Sequence, residues 1–91
     1  MIEPSTVLER WLERGFHGGM WIDPPGRVWA DFVHDVDELI MVVEGVVELE
    51  VGDRRKTLVP GDEVLIPAGT KHTVRNRGSD TARWLYAYGQ A

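Results

Sequence analysis

Hydrophobic and polar positions follow two patterns along this chain, a helical one near the amino terminus and a strand-like one over the rest. Between Ser5 and Arg14, apolar residues at positions 7, 8, 11 and 12 fall on one face of a helix. Gly15 follows directly and is the residue type that most often ends a helix. The pattern predicts one short amphipathic helix over residues 5–14, with Thr6 or Ser5 as its amino-terminal cap.

The segment that follows, up to Gly26, is rich in glycine and proline, which favours a loop or an edge strand over a central strand. From Arg27 onward, short runs of β-prone residues alternate with turn residues. Strands are predicted at 27–33, 38–44, 46–51, 54–59, 63–67, 72–77 and 82–88. Many short strands at regular spacing indicate a β-sandwich or a β-barrel.

Composition and charge narrow the classes of protein. The 91 residues are 43% hydrophobic, which is typical of one globular domain spanning residues 1–91. Fifteen acidic and ten basic residues give a net charge of -5, the wrong sign for binding nucleic acid or an anionic membrane. The absence of cysteine excludes a disulfide scaffold and a zinc–thiolate site. Without an apolar segment of membrane-spanning length or a leader-like start, we expect a cytoplasmic protein.

Two segments carry most of the candidate chemistry. They are Gly26 to Gly45, with His34 and Glu38, and Gly61 to Asn76, with His72. If the first segment stays extended, alternation places Phe32, His34 and Glu38 on one face. Glu38 is followed on its own face by apolar residues, so its carboxylate needs a cation or a hydrogen-bond donor to offset the cost of desolvation.

The spacing of glycine, proline and candidate ligands in these two segments resembles the two signature motifs of the cupin family, from Gly26 to Asn76. The resemblance implies an all-β fold: a small cupin-type β-barrel, also described as a jelly roll or double-stranded β-helix, over about residues 20–89, after the short helix. In cupins the hairpin in the second motif carries a histidine back toward the first motif, and His72 holds that position here. Asn76 matches the last motif position, where we expect a structural hydrogen-bonding role.

The same resemblance implies that His34, Glu38 and His72 bind a divalent metal ion. Two imidazoles and one carboxylate suit iron, manganese, nickel, cobalt or zinc and leave coordination positions open for water or substrate. The chain departs from the family at Phe32, where cupins usually place the first histidine of a His-x-His pair. Three alternatives follow: a three-ligand site, a site completed by another side chain, or no metal. The side chains that would complete it are Asp31, Asp35, Asp37 and His17.

Three functions compete at this point. The first is a small metal-binding cupin that holds a small organic molecule in a pocket shaped by Phe32 and Tyr86, acting as a metal-dependent oxygenase or isomerase if it is an enzyme. The second is a metal-free binding or sensor cupin, and the third is a structural protein whose cavity is filled. Residues 39–43 are apolar on both strand faces and need a cover, either the helix or a second subunit. Since small single-domain cupins are commonly dimers, we expect a homodimer.

Overall fold

The computed structural model describes residues 2–90, which form one helix and eight strands. The elements are α1 (Pro4–Glu13), β1 (His17–Asp23), β2 (Val28–Phe32), β3 (Glu38–Glu44), β4 (Val47–Val51), β5 (Arg54–Leu58), β6 (Glu63–Ile66), β7 (His72–Arg75) and β8 (Ala82–Tyr88). Every strand predicted from residue 27 onward is present, with ends that differ from the prediction by at most two residues. The added strand is β1, which starts three residues before the expected start of the barrel at 20.

Helix α1 begins one residue earlier than predicted, at Pro4. Proline fits the first turn because a helix leaves that N–H group without an intrahelical partner. Glu3 is the cap residue and its side chain makes no capping hydrogen bond, so the prediction of a Ser5 or Thr6 cap was wrong. Gly15, with φ of 87°, ends the helix as predicted. No helix within residues 2–90 has the length and apolar character needed to cross a membrane.

The strands form two four-stranded antiparallel sheets, with strand orders β1-β8-β3-β6 and β2-β7-β4-β5. The chain passes repeatedly from one sheet to the other, as in a jelly roll, and the prediction of an all-β cupin-type fold is confirmed. Strand β1 lies at the edge of the first sheet, as its glycine content predicted. The two sheets face each other, and the candidate site lies between them.

Alternation along the strands divides the apolar residues into two layers. The inner layer fills the space between the sheets and consists of Ile40, Val42, Val47, Leu49, Leu58, Ile66, Val74, Ala82 and Trp84. The outer layer consists of Leu39, Leu85 and Ala87 on the first sheet, against which Trp11 of α1 packs. The Trp11 indole N–H also donates a hydrogen bond to Glu63 at 2.9 Å. The helix therefore covers the outer apolar face of β3 and β8.

Candidate metal centre

The three candidate ligands come from separate parts of the fold. His34 lies in the connection between β2 and β3, Glu38 is the first residue of β3, and His72 is the first residue of β7. One potential ligand atom from each lies within 4.8 Å of the other two. Strand pairing brings His34 close to His72, because Phe32 of β2, two residues before His34, is directly opposite His72 of β7.

A bulge in β2 shapes the wall beside these residues. The register between β2 and β7 shifts between Trp29 and Phe32, and Asp31 has the left-handed φ of 59°. The Asp31 N–H donates to the Thr73 hydroxyl oxygen at 3.1 Å. In a regular strand Trp29 and Phe32, three positions apart, would point to opposite faces. Because the bulge redirects the chain, both line the same cavity.

Glu38 is the centre of the cluster. It is only 3% exposed, and its Oε1 atom lies 3.0 Å from His72 Nε2 and 3.5 Å from His34 Nε2. Neither approach has the direction of a hydrogen bond, and Oε1 has no hydrogen-bond partner within the described residues. A buried carboxylate oxygen without a donor is costly. No arginine or lysine within residues 2–90 forms an ion pair with Glu38.

The contact of the Nδ1 atom of His72 determines the tautomer of the ring. Nδ1 lies 3.1 Å from the Thr70 carbonyl oxygen, which can only accept a hydrogen bond, so Nδ1 carries a proton. In the neutral ring, Nε2 then carries a lone pair and lies 3.0 Å from the Glu38 Oε1 atom. Burial lowers the pKa of His72, but the Glu38 carboxylate and the Thr70 carbonyl outweigh burial and raise it above its ordinary value. A cation or a proton shared by His72 and Glu38 would offset the cost of the buried carboxylate oxygen, and the donor set of the cluster fits a divalent metal.

The four side chains proposed to complete the site lie elsewhere. Asp31 is exposed and pairs with Lys71 at 3.7 Å, and Asp37 accepts the Ala68 backbone N–H at 2.8 Å. Asp35 and Asp37 border a wider surface hollow of about 380 Å³ that contains no histidine. His17 lies on β1 near Gln90. Among the described residues, the cluster therefore consists of His34, Glu38 and His72.

A cavity of about 160 Å³ opens beside the cluster. It is lined by Trp21, Trp29, Phe32, His34, Glu38, His72, Val74, Trp84 and Tyr88. Phe32 is thus at the wall, while Tyr86, expected there, is not among the lining residues. The Tyr86 ring lies beside Gly19 of β1, where a Cβ atom would be 3.3 Å from the Tyr86 hydroxyl.

Tyr88 lines the cavity on β8 instead of Tyr86, and the sequence analysis missed it. Its ring packs edge-on against the His34 ring, with centroids 4.8 Å apart. Burial, together with the Glu38 carboxylate, raises the pKa of Tyr88 to about 12. Tyr88 is therefore a neutral phenol at neutral pH. Strand alternation places Tyr86 and Tyr88 on the same face, so the pattern of residues alone gave no signal to choose between them.

Asp23 fixes two aromatic walls of the cavity. This residue is 1% exposed, and its carboxylate accepts the indole N–H of Trp29 at 3.0 Å and that of Trp84 at 2.8 Å. The Asn76 side-chain amide donates to the backbone oxygens of Asp23 and Asp80, both at 3.0 Å, in the structural role expected for it. In the sequence Asp23 precedes two prolines and reads as a turn residue, so its role was not predicted.

Comparisons with known proteins agree with this architecture. A Cupin 2 conserved barrel domain protein from Salinispora arenicola superposes with a TM-score of 0.77 at 25% identity, over 85% of this chain and 65% of that one. TT1209 from Thermus thermophilus superposes with a TM-score of 0.74 at 25% identity, over 97% and 95% of the two chains. The Cupin_2 domain of an XRE family transcriptional regulator from Enterobacter cloacae has a TM-score of 0.78 at 19% identity, over 100% and 92%.

By sequence, no curated protein matches the chain, whereas one family profile does. The chain spans less than two thirds of the length of the Salinispora protein. The family profile described as "Cupin domain" matches residues 19–88, which is most of the sequence and includes all three residues of the cluster. The chain therefore belongs to the cupin domain family.

Proposed function

We propose that this protein is a small metal-binding cupin in which His34, Glu38 and His72 hold a divalent metal ion. The observation that carries the proposal is the buried Glu38 Oε1 atom, which has two imidazole nitrogens within 3.5 Å and no hydrogen bond within the described residues. A divalent cation would satisfy this oxygen and the lone pair of His72 Nε2 together. Iron, manganese, nickel, cobalt and zinc all accept this donor set.

The cavity beside the cluster supports a role in binding a small organic molecule. Phe32 and Trp21, which are 37% and 40% exposed, lie at its open side, whereas Trp84 at 4% lies deep. When bound, a divalent metal supplies Lewis-acid chemistry or activation of a coordinated water. The aromatic walls would orient the organic molecule beside it and reduce the access of bulk water. The reaction class stays open between oxygenase and isomerase chemistry.

Elemental mass spectrometry of the untagged full chain tests the metal proposal. The protein is measured as purified and after incubation with each of the five divalent ions and desalting. We expect about one metal ion per chain, and a His72→Ala variant treated identically should lose it. His17→Ala is the matched control, because this histidine lies outside the cluster.

Two results would overturn the metal proposal. One is the absence of metal from the wild-type protein under every loading condition. The other is equal metal content in His72→Ala and wild type, which would place the ion elsewhere. The first result would favour the second candidate function, a metal-free binding or sensor cupin, which is supported by Phe32 at the wall in place of the usual histidine ligand.

A further inference from the structure

Six aromatic rings form a closed circuit of contacts, and all of them except Tyr86 line the cavity. Successive ring centroids are 5.1 Å apart from Trp21 to Trp29, 6.0 Å from Trp29 to Phe32, 5.9 Å from Phe32 to His34, 4.8 Å from His34 to Tyr88, 5.7 Å from Tyr88 to Tyr86 and 5.5 Å from Tyr86 back to Trp21. The circuit joins residues of β1, β2 and β8 with the His34 connection, so it is a product of the tertiary fold. One member, His34, belongs to the candidate metal cluster.

The volume of the cavity matches a single ring. At about 160 Å³, it is smaller than the roughly 300–1,000 Å³ of pockets that take drug-sized molecules. A buried apolar cavity of about 150 Å³ engineered in another protein binds benzene. A six-membered ring with one or two small substituents therefore matches the space.

The walls favour a flat ligand. The Phe32 and His34 rings are nearly parallel, with an interplanar angle of 13°, and the indoles of Trp29 and Trp84 are held in place by their hydrogen bonds to Asp23. Aromatic rings gain energy from offset stacking and edge-to-face contacts with another ring, beyond the gain from buried area. A puckered ring of the same size makes fewer of these contacts.

The charges around the cavity favour an uncharged ligand. No lysine or arginine is among its lining residues, and Glu38 is the lining carboxylate. In the metal-free protein an anionic ligand would meet the Glu38 carboxylate and no lysine or arginine, so recognition of a dicarboxylate is disfavoured there. A cationic ligand would be repelled once a divalent metal is bound, because the metal carries more charge than the Glu38 carboxylate cancels.

We propose that the cavity binds an uncharged planar ring of about the size of phenol, stacked among the aromatic walls next to the His34, Glu38 and His72 cluster. The inference rests on the proposed function only for placing the ligand beside a metal. The aromatic circuit and the volume apply to the metal-free protein as well. Failure of metal binding and failure of ring binding are therefore separate results.

The four tryptophans allow ring binding to be read from nitrogen-15 NMR of the full chain, with phenol as the probe. Trp21, Trp29 and Trp84 line the cavity, whereas Trp11 lies on the outer face of the first sheet and serves as an internal reference. Phenol titrated into the metal-free protein should shift indole N–H signals of the cavity tryptophans and leave Trp11 unchanged. Cyclohexanol, a puckered ring with the same hydroxyl group, should bind about fivefold more weakly.

A variant tests whether the aromatic wall produces this preference. Phe32→Leu keeps an apolar side chain and removes the ring, and we expect the preference for phenol over cyclohexanol to fall to about twofold or less. Phe16→Leu makes the same change outside the cavity, in a residue that packs on the outer layer, and should keep the wild-type preference. The dispersion of the backbone signals shows whether each variant is folded.

Four outcomes would overturn the proposal: no indole shift with phenol, equal affinity for phenol and cyclohexanol, tighter binding of oxalate, or tighter binding of tetramethylammonium. The titration is repeated with protein loaded with Zn²⁺, which is diamagnetic. Phenol binding without any metal uptake would support the ring proposal and contradict the metal proposal. Metal uptake without phenol binding in either form would do the reverse.

Discussion

The carboxylate of Asp23 accepts the indole N–H of Trp84 at 2.8 Å in the interior of the protein, where Asp23 is 1% exposed. The same carboxylate accepts the indole N–H of Trp29, with both oxygens 3.0 Å from the nitrogen. A single side chain at the end of β1 thus holds one indole from each sheet. This arrangement sets the orientation of two cavity walls.

Asp23→Ala should destabilise the protein, because it leaves the two indole N–H groups without their acceptor. We expect the free energy of unfolding to fall by about 2–4 kcal/mol, at about 1–2 kcal/mol for each lost partner. Urea denaturation followed by circular dichroism measures the change. Asp53→Ala, in the exposed turn between β4 and β5, should change the free energy by less than about 0.5 kcal/mol. Equal effects in the two variants would contradict a special role for Asp23.

Metal binding should raise the melting temperature through Glu38. At a free ion concentration 100 times the Kd, a ligand that binds only the folded state stabilises it by about 2.7 kcal/mol. For a chain of this size the shift in Tm is about 10–20 °C. Glu38→Gln should abolish the shift, while the exposed Glu44→Gln should retain it. Differential scanning fluorimetry with each ion measures both, and a full shift in Glu38→Gln would show that the carboxylate is not a ligand.

Phe32→His should strengthen metal binding. The Phe32 ring lies 5.9 Å from the His34 ring and 6.2 Å from the His72 ring, and a histidine there would add an imidazole at the edge of the cluster. We expect affinity for Zn²⁺ to increase about tenfold, which corresponds to about 1.4 kcal/mol. Isothermal titration calorimetry measures the change. Val33→His is the control, since Val33 is 55% exposed and is not a lining residue of the cavity. An unchanged affinity in Phe32→His would contradict a preformed centre.

The second sheet should make the protein sensitive to acid through Glu50. Its hydrogen bond with Arg75, at 2.7 Å, holds the pKa of Glu50 below the ordinary 4.5. Because the pKa is lower in the folded state, the ionised group contributes stability above about pH 4.5, and this contribution is lost as the pH falls through the folded-state value. Glu50→Gln should therefore lower the Tm at pH 7, with the difference from wild type closing as the pH falls below about 4.5.

Thermal melts of wild type and Glu50→Gln at a series of pH values check this sign. The control is Glu44→Gln, since Glu44 is more exposed and pairs with Arg83 at 3.4 Å across another sheet. A surface pair of this kind contributes little, and we expect almost no difference in Tm at any pH. A difference in Tm between Glu50→Gln and wild type that widened in acid would contradict a lowered pKa for Glu50.

We propose that a homodimer forms through the free edge of β1. Strand β1 has seven residues, carries no lysine or arginine, and exposes Ile22 at 55%. Edge strands without exposed charges or bulges readily pair with another chain, and the one carboxylate of β1, Asp23, is buried. The other edge strands have such protection: β5 carries Arg54, Arg55 and Lys56, β2 has the bulge at Asp31, and β6 has only four residues.

Light scattering coupled to size-exclusion chromatography tests the dimer. Wild type should elute with twice the mass of the chain, and Ile22→Lys should shift the population to monomer by placing a charge on the outer face of β1. Leu65→Lys places the same charge on β6, the opposite edge of the same sheet, and should remain dimeric. A monomeric wild type, or dissociation in Leu65→Lys alone, would rule out this edge.

The sequence predicted the elements of this fold well because their signals are local. Apolar spacing in residues 5–14 gave the helix to within one residue, and glycine and proline marked the turns between strands. The prediction of the helix cap was wrong because Pro4, which fits the first turn, starts the helix before Ser5. The resemblance of the two motifs to those of cupins also singled out His34, Glu38 and His72, and the structure brings these three together.

The tertiary structure alone decided which atoms meet around the cavity. A side chain's surroundings depend on register and bulges between strands far apart in sequence, and local propensity carries no information about them. The β2 bulge brings Trp29 and Phe32 to one wall, and Tyr88 lines the cavity where Tyr86 does not. The sequence by itself thus determined the strands and the candidate ligands, whereas the pairing of the sheets determined the walls around them.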